Sequence, residues 1–121
     1  MARVERNNAM RLLDSRKIAY IAHPFSSDIH SADGVAAALG LPPERVFKTL
    51  VTLPEAPRSR PVLAIVPGNG ELDLKKLAKA LGEKKMRMAT QREAESLTGL
   101  QVGGISALAL LHKGLQSVLD A

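Results

Sequence analysis

Apolar residues recur along this chain at two spacings, and each change of spacing marks a new element. Over residues 4–16, Ala9, Leu12 and Leu13 share one side of a helix while charged residues fill the rest. Lys17 to His23 reads as a strand, stopped by Pro24. Ser31 stands where a cap belongs for a helix over Ala32–Leu39, and Gly40 occupies the position after the last turn. Pro42-Pro43 then forces a turn and opens a single helical turn at Glu44-Arg45.

Val46 to Leu53 and Val62 to Val66 read as two strands. The polar, Pro-rich stretch from Pro54 to Pro61 joins them, so the pair is expected to form a hairpin with a long loop. Residues 67–70, Pro-Gly-Asn-Gly, make a turn. Asp73–Leu81 carries the clearest helical pattern, with Leu74, Leu77, Ala78 and Leu81 at i, i+3, i+4 and i+7. At about 100° per residue, Lys75, Lys76 and Lys79 gather on the opposite side, and Gly82 ends the helix. Lys85–Ala89 reads as a short strand. Thr90 followed by Glu93 matches a capping box for a helix to about Leu97, closed by Gly99. Alternating helices and strands with a hairpin among them predict a mixed α/β fold with one sheet and helices packed on it. No repeat, heptad or low-complexity segment interrupts this pattern.

Composition narrows the function classes. At 121 residues the chain reads as one domain, residues 1–121, long enough to bury a core without staples. Cysteine is absent, which removes disulfides, thiolate nucleophiles and cysteine-ligated metals. No apolar run approaches the roughly 18 residues of a membrane span. The N-terminus lacks the apolar core of a signal peptide, so a cytoplasmic location is expected.

Net charge is +5 and the pI is near 9.9. Between Gly70 and Arg92 seven Lys and Arg face three acids, so most of the excess lies in one fifth of the chain. A local basic surface suits a phosphate backbone, and a solvated lysine-rich helix face is the plainer alternative. Tyr20, Phe25 and Phe47 are the whole aromatic complement, which argues against stacking platforms for single-stranded bases. A nucleic-acid partner would therefore be held by its backbone or its shape.

Two places carry candidate chemistry. In Gly99-Leu-Gln-Val-Gly-Gly-Ile-Ser106, adjacent glycines let backbone approach a ligand and offer N–H groups to a carbonyl or anion. An ordinary turn would use the same residues. Lys48, between Phe47 and Thr49 on an expected strand, is the second. Facing inward it would need an anion or polar ligand. Facing outward on an edge strand it would simply be solvated. The three histidines, His23, His30 and His112, show no ligand spacing, so no metal site is expected. Ser106 does not sit in a nucleophile elbow, and reads as an orienting or ligand-contacting hydroxyl. Phosphate-loop and dinucleotide fingerprints are absent, so no cofactor is expected.

Three ordered segments resemble the YbaK/EbsC family of aminoacyl-tRNA deacylases, related to the editing domain of bacterial prolyl-tRNA synthetases. They are Leu39-Gly-Leu-Pro-Pro-Glu-Arg-Val-Phe-Lys-Thr-Leu50, Gly70-Glu-Leu-Asp-Leu-Lys-Lys-Leu-Ala-Lys-Ala-Leu-Gly82 and Thr98-Gly-Leu-Gln-Val-Gly-Gly-Ile-Ser106. The similarity runs from about Met10 to Ala121. The resemblance implies a single α/β domain with a mixed, strongly curved sheet flanked by helices. It implies hydrolysis of mischarged tRNA, typically Cys-tRNA(Pro), often beside prolyl-tRNA synthetase, with the substrate's own thiol attacking the ester in cysteine-specific members. Carried onto this chain, Lys48 with Gly103 and Gly104 would serve catalysis. Phe25, Thr49, Ile105 and Ser106 would bind the aminoacyl end, and Lys75, Lys76 and Lys79 the acceptor stem. A homodimer is a further expectation.

Two departures accompany it. Ala107-Leu108-Ala109 stands where the family often has Pro-x-Gly, removing a rigid turn. The chain also stops at Asp120-Ala121, where typical members continue through further strands, a helix and an acidic residue near the pocket. Both raise an alternative of another class: a catalytically impaired module that binds tRNA or prolyl-tRNA synthetase.

Overall fold

The computed structural model describes residues 7–26, 28–29, 31–56, 59–100, 106–108, 110 and 114–119. Among them run helices α1 (Asn8–Ser15) and α2 (Ala32–Leu39), a 3-10 turn at Pro43–Arg45, and strands β1 (Phe47–Pro54) and β2 (Val62–Pro67). Helix α3 (Leu74–Leu81), strand β3 (Met86–Met88), helix α4 (Gln91–Thr98) and strand β4 (Gln116–Leu119) follow. The sheet order is β3-β1-β2-β4. β1 pairs antiparallel with both β2 and β3, and β4 lies parallel to β2, giving the mixed sheet that the resemblance implied.

Alternation along the strands divides the apolar side chains between two faces. On one face Val62, Ala64 and Met86 pack with Leu77 and Ala78, the centre of the α3 stripe. On the other, Val51 and Leu63 pack with Ala94 of α4 and with Leu110. Thr52 is fully buried between these layers and donates its hydroxyl to the Val62 carbonyl at 2.8 Å, so its polarity is satisfied.

Local chemistry explains the helix ends. The Ser31 hydroxyl accepts from Gly34 N–H at 3.0 Å, opening α2. Asp73 accepts from Lys75 and Lys76 N–H at 3.0 and 3.1 Å, opening α3 one residue later than the pattern suggests. Gly82 and Gly99 close α3 and α4 at φ 72° and 74°, a region that penalises any residue with a Cβ.

Lys17–His23 departs from expectation. No strand forms there: α1 ends with Lys17 at φ 57°, and the chain continues irregularly through residue 26. A strand needs a neighbour as well as suitable residues, and this segment pairs with none of the described strands. Ile21 is consequently 79% exposed. The outer place beside β2 belongs to β4, which the hydrophobic pattern did not disclose.

Candidate functional site

The short length of β3 leaves a cleft beside the first half of β1. It pairs with β1 only over Thr52–Pro54, with Ala89 N–H adding a bond to the Val51 carbonyl at 2.9 Å. Burial follows suit: Val51 to Pro54 are buried, Lys48 to Leu50 half-buried and Phe47 exposed. Backbone groups in an antiparallel ladder alternate in direction. Val51 points its carbonyl toward β3, and Val46 gives its carbonyl to Gly68 N–H on the β2 side. Phe47 and Thr49 therefore direct their N–H and C=O away from β2, where no strand continues among the described residues.

A cleft of about 500 Å³ occupies this gap. Ala32 and Val35 of α2 form one wall, Gln91 and Ala94 of α4 the other, and Phe25 and Phe47 stand at it half-exposed. Lys48 and Thr49 line the cleft with them. Lys48 thus sits neither on an edge strand nor in a sealed core. It lies on an interior strand where that strand has lost its outer neighbour. Among the residues lining the cleft it is the one ionisable side chain.

Of the residues singled out from the sequence, Lys48, Thr49 and Phe25 come together here. Gly103, Gly104 and Ile105 lie outside the described residues. Ser106 is half-buried and is not among the residues lining the cleft. Lys75, Lys76 and Lys79 are all exposed on α3. Sequence reasoning missed Gln91 and Ala94 as cleft residues. The capping box located the start of their helix, but nothing local said that this turn faces Lys48. Among the described residues no cluster of His, Asp and Glu could hold a metal, and no helix is long and apolar enough to cross a membrane.

Behind the cleft, α4 is anchored to β3. The Thr90 hydroxyl accepts from Glu93 N–H at 3.2 Å, and the Glu93 carboxylate accepts from Thr90 N–H at 3.0 Å. Arg87 donates to both oxygens of that carboxylate, at 2.7 and 2.8 Å. The Arg87 bonds first, and then the Thr90 N–H, lower the Glu93 pKa from 4.5 to about 2. A depressed carboxyl stabilises the fold fully above its unfolded pKa and loses that contribution as pH falls through the folded one. The window here runs from about 4.5 down to about 2. An NMR titration should find Glu93 still ionised at pH 3, and Arg87→Ala should raise its midpoint toward 4.5, with the Thr90 N–H still holding it below that value.

Comparison with known proteins identifies the family. The sequence model described as the aminoacyl-tRNA editing domain matches residues 26–121. The chain belongs to that family. The chain is 44% identical over 108 residues to EbsC of Enterococcus faecalis, named as a candidate Cys-tRNA(Pro)/Cys-tRNA(Cys) deacylase. That match covers 88% of this chain and 65% of EbsC. A proline–tRNA ligase of Pediococcus pentosaceus is 39% identical over 80 residues, 66% of this chain and 14% of the ligase. Among solved structures, a candidate trans-editing enzyme for prolyl tRNA synthetase aligns with TM-score 0.71 and 25% identity, covering 97% of this chain and 74% of that one. A hypothetical protein aligns at TM-score 0.77 and 23% identity over 93% of this chain and 71% of its own, which shows the shared fold.

Proposed function

We propose that the chain is a trans-editing deacylase that hydrolyses the aminoacyl ester of mischarged tRNA, with Cys-tRNA(Pro) as its principal substrate. The observation that carries this reading is Lys48, the one ionisable side chain among the described residues lining the cleft. An aminoacyl ester is already activated, so its hydrolysis needs positioning and charge stabilisation more than a strong nucleophile. Addition of water to the ester carbonyl puts negative charge on that oxygen. The Lys48 ammonium offsets it, and collapse expels the 3′-hydroxyl of the terminal adenosine to leave free amino acid and tRNA. Thr49 and Phe25, which line the cleft beside Lys48, hold the aminoacyl end.

The similarity to EbsC and to segments of proline–tRNA ligases supports both reaction and substrate. Prolyl-tRNA synthetase is the partner expected to hand over the tRNA, and the cytoplasm the place where it happens. Amino-acid release from Cys-tRNA(Pro), Ala-tRNA(Pro) and Pro-tRNA(Pro) tests the reading. Selective release of cysteine is expected. Release no faster than in buffer for all three would leave a binding module instead.

A further inference from the structure

We propose that the cations of α3, the β3 lead-in and α4 form a belt around the outer edge of β3, from the α3 face of the sheet to the α4 face, that binds the phosphate backbone of double-helical RNA and leads it to the Lys48 cleft. The belt has two grooves. In the first, of about 490 Å³, Lys75 and Lys79 of α3 face Lys84 and Lys85 across the turn, with Glu83 as the opposing charge. In the second, of about 480 Å³, Arg87 and Arg92 lie with Glu55 and Glu93. The extended run from Lys85 to Met88 joins them, and its end reaches the cleft, which Met88, Ala89 and Gln91 line. That run spans about 10 Å, so the belt and the cleft are within one RNA end of each other.

Ion pairing divides these cations into two sets. Lys85 lies 3.6 Å from Glu55, and Arg87 is held by Glu93 at 2.7 Å. Lys75, Lys79, Lys84 and Arg92 carry no ion pair among the described residues, and all four are exposed. They are the cations available to phosphates. Lys76, next to Lys75 in sequence, lines a different groove on the other flank of α3 with Glu71 and Asp73. The α3 lysines therefore do not act as one patch. Lys75 and Lys79 belong to the belt, and Lys76 does not.

The absence of ring side chains along the belt decides how RNA is read. Phe25 and Phe47 stand at the cleft, and Tyr20 lies on the segment after α1. No aromatic lines either groove. The belt consequently offers charge without stacking, which suits a duplex backbone rather than unpaired bases. It deepens the deacylase reading by naming the surface that holds the duplex next to the reacting end.

Equilibrium binding of an uncharged acceptor-stem RNA hairpin, measured against salt, tests the belt without any hydrolysis. Four phosphate contacts give log affinity a slope of about −3.6 in log salt, or on the order of a 100-fold loss between 50 and 200 mM. Lys84→Ala and Arg92→Ala should each reduce the slope by about 0.9, Lys84→Arg should restore it, and Lys76→Ala should leave it unchanged. Circular dichroism checks that each variant is folded. Wild-type slopes in both alanine variants, or no RNA binding at 50 mM salt, would overturn the proposal. Altered slopes in a chain that releases no amino acid would uphold the belt while removing the deacylase reading. Cysteine release with unaltered slopes would do the reverse.

Discussion

Lys48→Ala is expected to lower kcat/KM for cysteine release from Cys-tRNA(Pro) by about 10²–10³, the usual cost of losing one preorganised group at a developing oxyanion. The size of the effect follows from where Lys48 lies. It is half-buried on an interior strand, in a cleft that supplies no second ionisable side chain among its lining residues. Among the described residues lining the cleft, none can take over its charge. Lys48→Arg should restore only part of the rate, because a planar guanidinium cannot occupy the volume of a compact ammonium. Because β1 is held through β2 and β3 by backbone bonds, the alanine variant should keep its circular-dichroism spectrum. A variant within threefold of wild type would show that Lys48 is not the stabilising charge.

The largest effect on stability is expected at Leu63. It is 1% exposed on a strand with a neighbour on each side, opposite Val51 in the ladder, and packs against Ala94 and Leu110. Leu63→Ala loses the transfer free energy of the missing carbons and leaves a cavity that the sheet cannot collapse, together about 2–5 kcal/mol. A chain of this length has about 6–18 kcal/mol in all, so the melting temperature should fall on the order of 10 °C. Thermal unfolding followed by circular dichroism measures it. Ala94 connects this core to the cleft wall, so a loosened Leu63 layer should also raise KM. A drop of less than 2 °C would mean that α4 packs elsewhere.

Much of this architecture was legible in the sequence because its signals are local. Ser31, Asp73 and Thr90 cap their helices through bonds to residues at most three positions away. The Leu74–Leu77–Leu81 stripe buries the face its spacing selects. Strand pairing is different, since it depends on which distant segment arrives. That is why Lys17–His23, which reads as a strand, stays unpaired among the described residues, and why β4, with only four residues, went unnoticed beside β2. The site was legible in the same partial way. Lys48 and Thr49 stand out as residues, and Phe25 through a resemblance, but the cleft exists because β3 stops at Met88. That length is set by the turn at Thr90, and no feature near Lys48 announces it. Gln91 and Ala94 were missed for the same reason.

The central claim is that the aminoacyl end sits against the open half of β1. A stable analogue of cysteinyl-adenosine, with the ester replaced by an amide, tests it by titration into isotope-labelled protein. The backbone amides of Phe47, Lys48, Thr49, Ala89 and Gln91 should shift together and saturate with one affinity, while Ser96 and Leu97 on the far flank of α4 stay still. Shifts centred on Ser96 and Leu97, with Lys48 and Thr49 unmoved, would contradict the account.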